Sequence, residues 1–303
     1  MLPALFTTFL FSVSVLLASR SAQKLGGMPA NVARLSIATL LLGLWAHLFG
    51  GGFGGPGLLW FFLSGIIGFG VGDMGLFGAL PRIGPRLSIL LTQCLGAPIA
   101  GVAEYLLLGV HPSVTEILCA GVILVGVALA LAPDQHWEGE PRVFRIGVCF
   151  GIVSALGQGL GAVLSRKGYA VAAAAGFAMD GGTAAYQRIV PGVLVTILFW
   201  AILKWSGQPT DPIKPLPVWK DAMPLVFGNA LSGPTLGVAC FQLALLTTPS
   251  AKVLPIVATS PLVTMGLAWA FQGIKPQRKA VIGGCLAVLG AVGLAWLKAT
   301  RIA

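Results

Sequence analysis

LLWFFLSGIIGFGVGDMGLFGALPRIGPRLSILLTQCLGAPIAGVAEYLLL, residues 58–108, decides what kind of protein this is. Two long apolar runs flank the turn Pro81-Arg82-Ile83-Gly84-Pro85. A helix of about 20 apolar residues crosses a hydrocarbon core of about 30 Å, and each run meets that length. Gly65, Gly68, Gly70, Gly72, Gly75 and Gly78 recur mostly at two to four residues, leaving one helix face nearly bare so that a neighbouring helix can approach closely. Asp73 stands in the middle of this run. A carboxylate at the bilayer centre costs about 2.5–3.5 kcal/mol on insertion scales, so it faces a bundle interior, a partner or a wet cavity. Asp73 is therefore the leading functional candidate, as a substrate-amine ligand or a proton carrier. Its structural alternative is an ion pair with Arg86 across the hairpin. Glu104, only five residues before Gly109, can instead reach the headgroups.

The rest of the chain has the same character. Of 303 residues 56% are hydrophobic and 9% charged, against about 25% charged in soluble domains. Such a chain is an integral membrane protein, and nowhere does it sustain the alternation of a barrel strand. The net charge of +10 comes from 19 Lys and Arg against 9 acids. Nearly all the basic residues flank apolar runs, a placement suited to anionic headgroups and a lipid bilayer, not to nucleic acid. Cys94, Cys119, Cys149, Cys240 and Cys285 fall inside apolar runs, none close to another. They read as small buried residues, and no metal, disulfide or cofactor is expected.

In chain order, the spacing predicts helices over 2–19, 31–48, the central pair within 58–108, and 113–132. No basic residue precedes the first run, so no cleaved signal peptide is expected. A polar stretch from Pro133 to Arg145 is the linker between halves. Helices then follow at 144–165, 186–203, 220–246, 250–272 and 277–297, with an Ala- and Gly-rich loop over 167–185. The expected fold is all-α and integral to the membrane, with ten transmembrane helices as two inverted five-helix repeats. The first covers residues 1–133, the linker 134–143 and the second 144–303. At a shift of 164, Phe77 falls on Phe241, Pro85 on Pro249, Gly109 on Gly273, Pro112 on Pro276 and Gly126 on Gly290. Earlier in each half Ser19-Arg20 matches Ser165-Arg166, and Arg34 matches Arg188. A repeat with an odd number of spans enters the membrane in opposite senses, an architecture that puts the binding site near the midplane between halves.

The candidate substrate- or proton-binding residues are Asp73, Arg86, Gln93, Ser154, Gln158, Arg188, Asn229 and Gln242. Ser154 and Gln158, beside Gly157, Gly159 and Gly161, are more polar than a lipid-facing helix needs. Arg34 and Arg188 read as first-turn residues, where snorkelling competes with a site role, and Lys252 is similar. Pro98, Pro234, Pro255 and Pro261 interrupt long helices and free carbonyls at depth. Gly70-Val-Gly72-Asp-Met-Gly75 has the spacing of a dinucleotide fingerprint, but no strand precedes it, so helix packing is the better reading.

Gly72-Asp73 through Phe77, Ala79-Leu80, Gly84, Pro98, Leu106-Leu107-Leu108-Gly109, Gly121 and Gly126 together resemble the EamA-type branch of the drug/metabolite transporter superfamily. In the second half Gly157-Gln158-Gly159-Leu160-Gly161-Ala162-Val163-Leu164-Ser165-Arg166, Arg188, Pro261 and Gly290 are similar too. The resemblance spans nearly the whole chain and implies ATP-independent transport of a small metabolite, usually export, in the cell's inner or plasma membrane. Val110 and Ile274 stand where that family usually has an acid. Lys and Arg concentrate in the loops after odd-numbered helices, which places both termini outside, whereas the resemblance implies both inside. Two functions follow from different classes: a secondary transporter of a small polar or amphiphilic metabolite such as an amino acid, and an intramembrane enzyme acting on a lipid-linked or apolar substrate. Against the enzyme, His47, His111 and His136 all lie at helix ends or in loops.

Overall fold

The computed structural model describes residues 2–108, 113–131, 140–207, 211–247, 253, 256–273 and 275–302. Val110, His111, Pro112, His136, Lys252, Pro255, Ile274 and most of the linker lie outside these residues, as does the Glu104 side chain. The described chain is helical, with no strand among the described residues. Six helical segments are long and apolar enough to cross a membrane: Leu2–Leu25, Gly27–Leu48, Leu58–Ala103, Pro141–Ala174, Gly181–Trp205 and Leu216–Leu246. Large apolar side chains such as Leu40, Leu44, Leu198 and Phe271 are exposed on the outer faces, where a bilayer would cover them.

Helices α1 (Leu2–Leu25) and α2 (Gly27–Leu48) are joined with no loop. Gly26 turns the chain at φ 94°, and a Cβ there would strike Asp211. In consequence α2 starts at Gly27 and not near Asn31. Three hydroxyls of α1 bond back into their own helix: Thr7, Thr8 and Ser12 donate to the carbonyls four residues back at 2.8–3.0 Å. The Thr8 and Ser12 hydroxyls also lie at 2.9 and 3.1 Å from the carbonyls of Ile256 and Ser260, tying the first helix to the last third of the chain.

The central hairpin is α3 (Leu58–Gly65), a π-helical segment Ile66–Gly72, α4 (Asp73–Leu90), a second π-helical segment Leu91–Leu95, and α5 (Gly96–Leu108). Gly84 at φ 73°, ψ 171° breaks α4 into two rods between Pro81 and Pro85, the turn expected from the sequence. The glycine face also works as expected. A Cβ on Gly75 would come within 2.7 Å of the Phe150 carbonyl and the Ser154 amide, so the hairpin and the helix Pro141–Ala174 meet backbone to backbone.

Helix α6 (Val114–Leu131) precedes α7 (Pro141–Ala174), which is longer than the sequence pattern suggested. The Ala-rich stretch after Arg166 continues the helix instead of forming a loop, since alanine favours helix and the only glycine before its end, Gly168, is packed against Phe61. Helix α8 (Gly181–Trp205) then begins at Asp180, which caps it by accepting from the Gly182 and Thr183 amides, both at 2.9 Å. Asp180 also accepts from Trp45 Nε1 at 3.0 Å and from the Thr183 hydroxyl. Burial pushes its carboxyl up, but these donors outweigh burial and hold it below the ordinary carboxylate value. The last elements are α9 (Leu216–Ala230), a third π-helical segment Leu231–Gly237, α10 (Val238–Thr247), α11 (Ser260–Gln272) and α12 (Arg278–Ile302).

Candidate functional site

Elements from both ends of the chain converge on one cavity of about 90 Å³. The hairpin contributes Asp73, Phe77, Thr92 and Gln93, and α7 contributes Ser154 and Gln158. Arg34 enters from α2 and Arg188 from α8. Each arginine is the eighth residue of its helix, so about 10 Å of rise separates it from the helix start. At 4% and 7% exposure neither reaches an interface from there. The first-turn placement read from the sequence is thus corrected, because both helices begin four or five residues earlier than their apolar patterns suggest.

Arg34 Nη2 donates to Asp73 Oδ2 at 2.5 Å. Its Nε donates to Asn31 Oδ1 at 3.0 Å, and its guanidinium carbon sits 4.6 Å from the Phe77 ring centroid. Charge, hydrogen bond and ring together fix one orientation. Asp73 itself follows the π-helical segment directly, so the widened turn aims its carboxylate at α2.

Arg188 is held from its stem. Its Nε donates to Ser64 Oγ at 2.9 Å, and Ser64 Oγ lies 2.7 Å from the Gly161 carbonyl and 2.9 Å from Ser165 Oγ. Gln242 Nε2 reaches Ser165 Oγ at 3.3 Å. The chain Gln242–Ser165–Ser64–Arg188 therefore orients the guanidinium through contacts below it. Its face lies over Phe69, 5.3 Å from the ring centroid. Elsewhere in the lining Thr92 Oγ1 bonds Ser154 Oγ at 2.9 Å, and Gln158 Nε2 approaches Gln93 Oε1 at 3.3 Å.

Of the residues singled out from sequence, Asp73, Gln93, Ser154, Gln158 and Arg188 line the cavity. Asn229 and Gln242 are fully buried one layer behind it, Asn229 accepting from Ser14 at 2.7 Å. Arg86 lies apart. Ten residues of helix, about 15 Å, separate Asp73 from the reversal at Gly84, and Arg86 Nη1 donates to the Lys275 carbonyl at 3.3 Å. The ion pair of Asp73 is consequently with Arg34, not Arg86. Arg34 is the charged lining residue absent from the sequence candidates; its alignment with Arg188 at a shift of 154 residues is the signal that could find it. Ser14 and Thr92 carried no such signal, being ordinary hydroxyls in apolar helices.

A sequence model of the EamA-like transporter family, whose members are membrane transporters, matches residues 145–296, half of the chain. The chain belongs to that family. The match contains Ser154, Gln158, Arg188, Asn229 and Gln242. No curated protein compared with this EamA-family chain matches it in sequence. A protein of known crystal structure is 17% identical, with a TM-score of 0.66 and alignment over 99% of this chain and 97% of that one. That likeness speaks for the fold, over nearly the full length of both.

Proposed function

We propose that this EamA-family protein is a secondary transporter that exports a small polar or amphiphilic metabolite by exposing the Arg34–Asp73–Arg188 cavity to the two faces of its membrane in turn. The observation that carries this is the repetition around the cavity. Helices α2 and α8 begin 154 residues apart and place Arg34 and Arg188 at the same step. The π-helical segments Ile66–Gly72 and Leu231–Gly237 have equal length and begin 165 residues apart. Both features suit two five-helix repeats, residues 1–133 and 144–303, with the central hairpin counted as two spans. Five spans per repeat makes their orientations opposite, and a site shared by inverted halves can open to either side as one half rocks on the other. Asp73 acts as the coupling site: Arg34 answers its charge when the proton leaves.

Purified protein in proteoliposomes, loaded with a mixture of small organic acids and amino acids, should release at least one solute faster than protein-free vesicles. A pH gradient should change that rate. Release no faster than from equally loaded protein-free vesicles for every solute would remove the transporter reading. Flux indifferent to the gradient would remove proton coupling alone.

A further inference from the structure

The two arginines are not equivalent. The Arg34 guanidinium is engaged by Asp73, the residue that directly follows the first π-helical segment. The residue that directly follows the other segment is Val238, which also lines the cavity. Where the repeated pattern offers Arg34 a carboxylate, it offers Arg188 an isopropyl group. Among the described residues Arg188 forms no ion pair, and only its Nε has a hydrogen-bond partner. Its electrostatic neighbours are Asp73, whose carboxylate is hydrogen-bonded by Arg34, and the buried hydroxyl of Tyr169, which has no hydrogen bond. Glycines surround the guanidinium: a Cβ on Gly68 or Gly161 would stand 3.2 or 3.5 Å from its Nη2. The described lining of the cavity thus carries two guanidinium groups and one carboxylate. A guanidinium does not lose its proton in a protein, so the surplus positive charge persists whatever the state of Asp73.

We infer that the cargo of this cavity is a small organic monoanion, its carboxylate paired with the two outer nitrogens of Arg188 and its apolar part against Phe69 and Phe241. Planar carboxylates meet a guanidinium with two parallel hydrogen bonds, and the low-polarity surroundings strengthen that pairing. A zwitterion fits less well. Its ammonium group would need Asp73, which Arg34 already neutralises, and it would leave the surplus charge unanswered. This inference rests on the transport reading only in naming the ligand as cargo.

The test titrates full-length protein in detergent, by tryptophan fluorescence and thermal shift, with isocaproate, isocaproamide and leucine, which share a branched side chain and differ in charge. Isocaproate should bind about tenfold tighter than isocaproamide or more, as hydrogen bonds to a buried charge imply, and tighter than leucine. Arg188→Gln should bring isocaproate down to the amide, and Arg188→Lys should keep part of the preference, because it keeps the charge without the fork. The variants' melting temperatures without ligand separate lost binding from lost folding; if Arg188→Gln does not fold, Arg188→Lys decides by narrowing the preference. Isocaproate binding no tighter than isocaproamide or leucine, including no binding at all, overturns the inference, as does an undiminished preference in the folded variant. Anion preference with no flux of any solute would sink the transporter reading alone, whereas flux with no anion preference would sink this inference alone.

Discussion

Asp73→Asn should destabilise the protein by about 3 kcal/mol, the lower end for removing one partner of a buried ion pair, because Arg34 keeps its charge. The side chains of Arg34 and Asp73 are 5% and 16% exposed, so little water is available to replace the lost carboxylate. Adding Arg34→Gln should restore most of the melting stability, since two neutral amides leave no unanswered charge. The double variant should nevertheless transport slowly or without response to pH, because the group proposed to carry the proton is gone. Thermal melting and proteoliposome flux on the same preparations check both halves. A double variant with wild-type pH-dependent flux would make Asp73 and Arg34 a purely structural pair, and a stable single variant would show that the pair is not buried as the fold implies.

The second large effect is expected at the contact between the hairpin and α7. A Cβ on Gly157 would overlap the Gly72 Cα and lie 2.9 Å from the Gly72 amide and the Ile67 carbonyl, all backbone atoms that cannot rotate away. Gly157→Ala should cost about 2–3 kcal/mol by overpacking, although alanine is the better helix former. It should also depress flux, because Gly72 precedes Asp73 and Gly157 precedes Gln158, so spreading this contact moves two walls of the cavity. Gly121→Ala is the control. Its Cβ would meet nothing within 4 Å, and the gain in helix propensity makes it neutral or stabilising by less than about 1 kcal/mol. Equal melting temperatures for the two variants would mean that the close approach is not a packing constraint.

Much of the fold was legible in the sequence because the bilayer restricts the choices so severely. Long apolar runs, the Pro81–Pro85 turn and the glycine spacing before Asp73 each have one physical meaning in lipid, and the all-helical membrane fold agrees with it. Helix starts were read less well. Gly27 and Gly181 lie outside the apolar pattern, yet one follows a positive-φ glycine and the other an Asp cap. That shift of one turn moved Arg34 and Arg188 from an apparent interface into the cavity. The structural alternative for Asp73 named the wrong partner for a related reason: Arg86 is near in sequence across a turn, whereas Arg34 becomes near only when α2 packs on the hairpin. The pocket residues Ser154 and Gln158 were visible as more polar than a lipid-facing helix needs, and Gln93 stood among the candidates beside them.

The claim that one cavity serves both faces of the membrane is tested most directly by a single cysteine at Ser154, a cavity-lining position, after Cys94, Cys119, Cys149, Cys240 and Cys285 are replaced. Right-side-out and inside-out vesicles are treated separately with a membrane-impermeant thiol reagent, with a lipid-facing Leu40→Cys protein as the inert control and a lumenal thiol as the leak monitor. The account predicts that Ser154→Cys reacts from either face while the lumenal thiol stays unmodified. Reaction from one face alone, from neither, or together with modification of the lumenal thiol would contradict it.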